Sequence, residues 1–230
     1  MVKTITIDEI FCIIKDKLLR NCFPENKKIN QSELAAELGV SRTPITKALH
    51  MLCSYGLLDN IPNKGFYPHI MNIKEYLNIY EMRDCLEQAA LFDLAVNITQ
   101  EQLDELYALF RPFQGLDIID HAEYSYNHYQ FHKRIIEMSS NHLLGQICNS
   151  YMIVEKCLLA GAVCTPRINV PSHIQLLDAL SAHDLQRVRE LALKHCARTI
   201  GYLRSTVANM NNLGLNPEKI PVIEVIKTDD

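Results

Sequence analysis

No stretch of this chain approaches the roughly 18 consecutive apolar residues of a membrane-spanning helix, so no membrane span is expected. The start, MVKTITIDEIFCIIKDKL, carries acids at Asp8 and Glu9 and lacks a small-residue cleavage site. A secretory signal is therefore not expected either, and a cytoplasmic location is. Eight cysteines contain no CxxC pair and no regular spacing, which excludes a disulfide framework. Cys53, Cys85 and Cys157 lie among apolar helix residues and are expected to be buried free thiols. The HExxH pattern of zinc hydrolases is missing. An excess of positive charge is missing too: 23 Lys and Arg face 27 Asp and Glu, a net −4, which rules out a uniformly basic coat for nucleic acid.

What is present is globular. Hydrophobic residues make up 48% and charged residues 22% of 230 positions, enough for one large domain or two small ones. The charge is uneven: residues 1–70 hold 9 Lys/Arg against 7 Asp/Glu, and residues 71–230 hold 14 against 20. A mildly positive head on an acidic body suits local phosphate contacts.

Gln31 to Leu58, QSELAAELGVSRTPITKALHMLCSYGLL, reads as two short helices around a tight corner. Leu34, Ala35 and Leu38 recur at helical spacing until Gly39 interrupts them. Ser41 is placed to cap the next helix, and Pro44 stands in its first turn, where a missing N–H costs nothing. Ile45, Ala48, Leu49 and Leu52 then share one face, over a helix running from about Thr43 to Tyr55. Helix, Gly-containing turn, helix is the helix-turn-helix pattern, whose second helix can enter a DNA major groove; an ordinary helical hairpin would show the same periodicity. Leu57 to Ile70 follows as a hairpin turning at Pro62-Asn63-Lys64-Gly65, with Pro68 confining its strand to an edge.

These residues carry a resemblance. SELAAELGVSRTPITKALHMLCSYGLL with the tip NKGFYPHI resembles the winged helix-turn-helix of the GntR family of bacterial transcription regulators, over roughly Asp8 to Ile70. The rest is similar to the FadR-type effector domain called FCD, whose opening YEMRDCLEQAALFDLAV resembles. The resemblance implies a mainly α fold: a winged helix-turn-helix over residues 1–70, an all-α effector and dimerisation bundle of about six helices over 71–210, and a tail over 211–230. It also implies that Arg42, in the SRTP motif, contacts a base or phosphate of double-stranded operator DNA, and that Lys64 meets the minor groove or a phosphate. Thr43, at the positive end of the helix, can donate to phosphate. The family commonly continues with Arg-Glu where this chain has Thr46 and Lys47, so the operator cannot be transferred from relatives; Lys47 is equally a phosphate contact or a solvated lysine. Lys27 and Lys28, in the loop Phe23–Asn30, either meet phosphate or face solvent, and solvent is the expectation. The match places Arg83 toward an effector cavity, the alternative being a buried ion pair with Glu87 at i+4.

The helical part is expected as an amphipathic first helix over Ile5–Asn21, a long helix from an Asn72 cap to Val96, one opened by the capping box Thr99–Gln102, then Leu116–Ser139, Leu143–Leu159, Ser172–Leu180 and Asp184–Asn209. The tail from Asn211 is expected to lie loosely over the body, or to pack its IPVIEVI stretch as a strand.

Histidine placement is the other signal. His128 and His132 are four apart on a face shared with Phe131 and Ile135; His173 joins Leu176, Leu177 and Leu180; His195 joins Val188, Leu191, Ala192 and Thr199. Three helices each point histidine inward. One buried histidine is an ordinary core residue, whereas four are costly to leave unpaired, and a divalent metal resolves that through neutral imidazole nitrogens. The FCD resemblance implies the same set: its metal motif is an Asp, the His of an FH pair four residues later (here Phe131-His132), and one His from each of two later helices, here His173 and His195. His128 stands at the Asp position; the alternative is that it turns away and three ligands remain, still enough for a metal. An all-imidazole set favours Zn, Ni or Cu over Mg or Mn, Zn or Ni being the cofactor expected, and open positions would admit a small organic acid beside Arg83. A structural metal is the alternative for this site.

Together these readings give a ligand-responsive, homodimeric DNA-binding regulator, expected to be a repressor, with no catalytic residues. The competing class is a metal-dependent hydrolase or oxygenase built on the histidine cluster, for which no general base can be assigned: Glu137 lies outside the histidine stripe.

Overall fold

Side-chain caps set most of the helix boundaries. The computed structural model describes residues 5–24, 26–116, 119–160 and 166–221, with the backbone alone at 166–168, 196 and 198. It divides into two compact units, Met1–Ile70 and Met71–Asp230.

In the first unit Thr6 and Glu9 form a reciprocal capping box that opens α1, Ile7–Leu19. The helix is shorter than the expected Ile5–Asn21: Thr6 caps its start, and it ends at Leu19, the last of its apolar series, with Arg20 as C-cap. Asn30 accepts from the amides of Ser32 and Glu33 and so starts α2, Gln31–Leu38. Gly39, at φ +65°, ends it in the left-handed conformation that lets the chain turn within three residues into α3, Arg42–Ser54. Ser41 occupies the N-cap of α3, but its side chain makes no capping bond, contrary to the sequence reading. Ile10, Ile14, Leu18, Ile45, Leu49, Leu52 and Leu57 close the core of this unit. The hairpin β1, Leu58–Ile61, and β2, Gly65–Pro68, is antiparallel, pairing Leu58 with Pro68 and Ile61 with Gly65. Asn63 and Gly65 take the positive φ its turn demands. The Ile29 amide donates to the Phe66 carbonyl at 2.8 Å, so the loop before α2 covers the free edge of β2.

The second unit is all helical among the described residues. It comprises α4, Ile73–Asn97; α5, Gln100–Phe110; α6, His121–Glu137; α7, His142–Tyr151; α8, Ile153–Leu159; α9, Pro166–Ser181; and α10, Leu185–Asn212. Asn72 caps α4, and Thr99 and Gln102 form the capping box of α5. Three expected boundaries are corrected. The helix expected from Leu116 begins at His121, because the Asp120 carboxylate takes the amides of Ala122 and Glu123. The single helix expected over Leu143–Leu159 is broken at Met152, whose φ of +49° separates α7 from α8. The helix expected from Ser172 starts at Pro166 and carries Pro171 inside it. The start of the tail is docked rather than loose: Pro217 is buried, and the Ile73 amide donates to the Ile220 carbonyl at 3.0 Å. Beyond Pro221 the IPVIEVI stretch lies outside the described residues. No helix among the described residues is long and apolar enough to cross a membrane. Cys157 is buried as expected, but Cys53 is half-buried and Cys85 is exposed on α4.

Two apolar clusters hold the bundle. One joins Leu91, Leu94, Leu106, Phe110, Phe131, Ile135, Leu177, Leu180 and Val188; the other joins Ile73, Tyr76, Leu77, Tyr80, Cys157, Ile200 and Leu203. The histidines lie on the inner faces of the helices that build these clusters.

Candidate functional site

Four histidines from α6, α9 and α10 meet inside the second unit. His128 and His132 stand one turn apart on α6, with their Nε2 atoms 3.0 Å from each other. His173 comes from α9 and His195 from α10, their rings 4.5 Å apart between centroids, and His173 lies 4.9 Å from His128. One nitrogen of each residue falls within 4.8 Å of one nitrogen of every other. Aromatic rings fix the set from outside: Phe110 stacks on His173 at 4.8 Å, Phe131 meets the same ring edge-on, and Tyr124 stacks on His128 at 5.6 Å.

Which nitrogen points inward follows from the outer partners. His132 Nδ1 lies 2.6 Å from Glu87 Oε1, and His173 Nδ1 lies 2.5 Å from the Asn169 carbonyl. A carboxylate and a carbonyl accept, so both Nδ1 atoms carry the proton and both Nε2 atoms offer a lone pair to the interior. His173 Nε2 is buried with no hydrogen-bond partner among the described residues. Such an orphan is rare in a folded interior, and a metal ion would satisfy it. Burial, foremost, holds all four imidazoles below their usual range: His173 falls to about 4, and His128, His132 and His195 lie well below 6.5. The neighbouring histidines lower His128 and His195 further, and Arg83 lowers His132. Neutral imidazoles are the form that ligates. The donor set thus fits a divalent transition ion, for which tetrahedral zinc–nitrogen bonds run about 2.0–2.1 Å.

Arg83 is 1% exposed on α4. Its Nε is 3.7 Å from Glu87 Oε2 and its guanidinium lies 4.0 Å above the Tyr80 ring. It lines a small cavity of about 10 Å³, the room of about one water, together with Ser125, His128, Tyr129, His132, Val154, Cys157 and Leu158. Arg83 thus approaches Glu87 and also lines the small cavity beside His128 and His132. Behind that cavity Glu155 is fully buried and accepts from Lys133 at 2.8 Å and from Tyr129 at 3.2 Å. The bond from His132 to Glu87 was not legible in the sequence, which pairs Glu87 only with Arg83. His121 is exposed at the start of α6, away from the cluster.

In the first unit Arg42, Thr43 and Lys47 are exposed at the beginning of α3, and Lys64 is exposed at the hairpin turn. Thr46 is half-buried; its hydroxyl donates to Gln31 Oε1 at 2.7 Å and lies 2.9 Å from the Arg42 carbonyl, so it ties α3 to α2. Lys27 and Lys28 are exposed, as expected, and the Lys28 side chain lies over Gly65, where an added Cβ would come within 2.7 Å of its Cε; this brings a second lysine beside the turn that carries Lys64.

A model of the FCD domain matches residues 78–198, and a model of the gntR family of bacterial regulatory proteins matches residues 6–67. The Nta operon transcriptional regulator of Aminobacter aminovorans is 32% identical over 119 residues, covering 52% of this chain and 57% of its own length. The uncharacterized HTH-type transcriptional regulator YdhC of Bacillus subtilis is 29% identical over 190 residues, covering 79% and 84%. In fold, a solved GntR transcriptional regulator from Rhodococcus sp. RHA1 superposes with a TM-score of 0.74 at 16% identity, over 86% of this chain and 97% of that one.

Proposed function

Because this chain belongs to the GntR family of bacterial regulatory proteins and carries an FCD domain, we propose that it is a metal-dependent, ligand-responsive regulator that grips operator DNA as a homodimer. Its relatives are transcription regulators and not enzymes, so the hydrolase or oxygenase alternative is set aside. In this reading Arg42 reads a base or clamps a phosphate, Thr43 and Lys47 hold the backbone of the duplex, and Lys64 carries the hairpin onto it. Thr46 serves the same interface by locking the angle between α2 and α3. Two copies are needed because a two-fold operator presents its half-sites about one helical turn apart.

The observation that supports the metal is the convergence of four neutral imidazoles, including the orphaned Nε2 of His173. His128, His132, His173 and His195 would hold zinc or nickel, and the ion would supply a Lewis-acidic seat for one oxygen of a small carboxylate. Arg83 would bind the same anion. The cavity beside it holds about one water, so a carboxylate enters only if the wall of Val154, Cys157 and Leu158 yields. That movement is the means by which ligand would shift the population between DNA-gripping and DNA-releasing forms.

The test is metal loading. Chelated protein dialysed against zinc or nickel should retain about one ion per chain and melt at a higher temperature, because binding to the folded state alone stabilises it. No retained metal and no melting shift would return the histidines to the role of core residues.

A further inference from the structure

We propose that Glu87 is the positioning residue of the metal seat: it aims His132 at the ion rather than acting as the counterion of Arg83. This rests on the metal reading given above and adds the residue that sets its geometry. Arg83 and Glu87 sit one turn apart on α4, and both side chains are 2% exposed. A buried carboxylate is costly unless its oxygens find strong partners. A carboxylate placed to neutralise an arginine takes the guanidinium in a fork, with two bonds of about 2.7–2.9 Å. Here the Arg83 Nε stands 3.7 Å from Oε2, and Oε2 has no hydrogen-bond partner among the described residues. The short bond, 2.6 Å, goes from His132 Nδ1 to Oε1, across 45 positions of sequence.

That bond has three consequences. It fixes the proton of His132 on Nδ1, it holds the ring plane, and it turns the Nε2 lone pair toward the point where His128 Nε2 already stands at 3.0 Å. It also places a negative charge one bond behind a ligand set that has none of its own. A dication held by four neutral imidazoles beside a buried guanidinium would otherwise be poorly compensated. Outer partners of this kind typically carry about 10–100-fold in metal affinity. The Asn169 carbonyl does the same orienting work for His173, but without charge.

The decisive experiment measures zinc affinity of the chelated full chain by competition with a chromophoric chelator, for wild type, Glu87→Gln, and Glu87→Gln combined with Arg83→Met. The positioning role predicts a loss of about 10–100-fold in Glu87→Gln that the second substitution does not restore. If Glu87 merely neutralises Arg83, removing both partners recovers wild-type affinity, and the proposal fails. Long-range ¹H–¹⁵N spectra of the wild-type imidazoles need no variant to fold. They should show His132 protonated at Nδ1 before zinc is added and ligated through Nε2 after it. Ligation through His132 Nδ1 would overturn the proposal, whereas a wild type that binds no zinc would instead remove the metal reading on which it stands.

Discussion

His173 shows what a single residue here has to satisfy. It is fully buried, gives Nδ1–H to a carbonyl of its own helix, and has an Nε2 that nothing among the described residues meets. Burial lowers its pKa from 6.5 to about 4. Between those values the unfolded chain binds a proton that the folded chain refuses. The stability of metal-free protein is therefore complete above pH 6.5 and is lost as pH falls toward 4, by about 3 kcal/mol from this residue alone. Urea unfolding of the metal-free chain at pH 7.5 and pH 5 should show a loss to which His173 contributes about 2 kcal/mol, and His173→Phe should remove that share while His128, His132 and His195 keep theirs. Equal stability of wild type at both values would mean that the imidazoles are hydrated or charged in the fold. The inward stripe of His128, His132, His173 and His195 was legible because helical periodicity places each histidine among residues that must be buried. The Glu87 bond was not legible, since its partner stands on another helix and the i+4 spacing directs attention to Arg83. Cys85 misled for a related reason: in a 25-residue helix with apolar residues on several faces, neighbours in sequence do not determine which face is covered.

At the scale of elements, capping chemistry was the reliable guide. Asn72 and the Thr99–Gln102 box stand where the sequence placed them, since a side-chain oxygen three residues from a free amide is a local matter. The break between α7 and α8 was hidden because Met152 has no turn chemistry, yet its backbone is left-handed. Between α8 and α6 lies the buried Glu155, held by Lys133 and Tyr129. Lys133→Met would remove the 2.8 Å ion pair from buried Glu155. Such losses typically cost about 3–5 kcal/mol, and denaturant melts should show a drop of that order. A change within about 0.5 kcal/mol, the range of ordinary surface substitutions, would show that α8 is held by apolar contacts alone.

At the scale of the whole chain, a mainly α fold with an N-terminal winged helix-turn-helix and a helical bundle was readable from period and turns. The family resemblance, now matched over residues 6–67 and 78–198, came from the motif around Arg42 and the opening of α4. The operator was not readable, because Thr46 and Lys47 depart from the family pattern and Thr46 is engaged with Gln31. DNA binding should separate the remaining contacts. Arg42→Ala should cost about 1–3 kcal/mol on the operator and relax its discrimination if the guanidinium reads a base. Lys64→Ala should weaken all sequences alike and reduce the dependence on salt by about one counterion. Anisotropy titrations on operator and unrelated DNA at several salt concentrations measure both, and unchanged isotherms for both variants would remove this segment from the interface.

The claim on which the proposed regulation depends is that the four histidines hold a transition ion. X-ray absorption at the zinc edge of the zinc-loaded chain tests it most directly. The arrangement of His128, His132, His173 and His195 predicts a first shell of nitrogen and oxygen at about 2.0–2.1 Å with the multiple scattering of four imidazoles and no sulfur. A sulfur shell at about 2.3 Å, or fewer than three imidazoles, would contradict it.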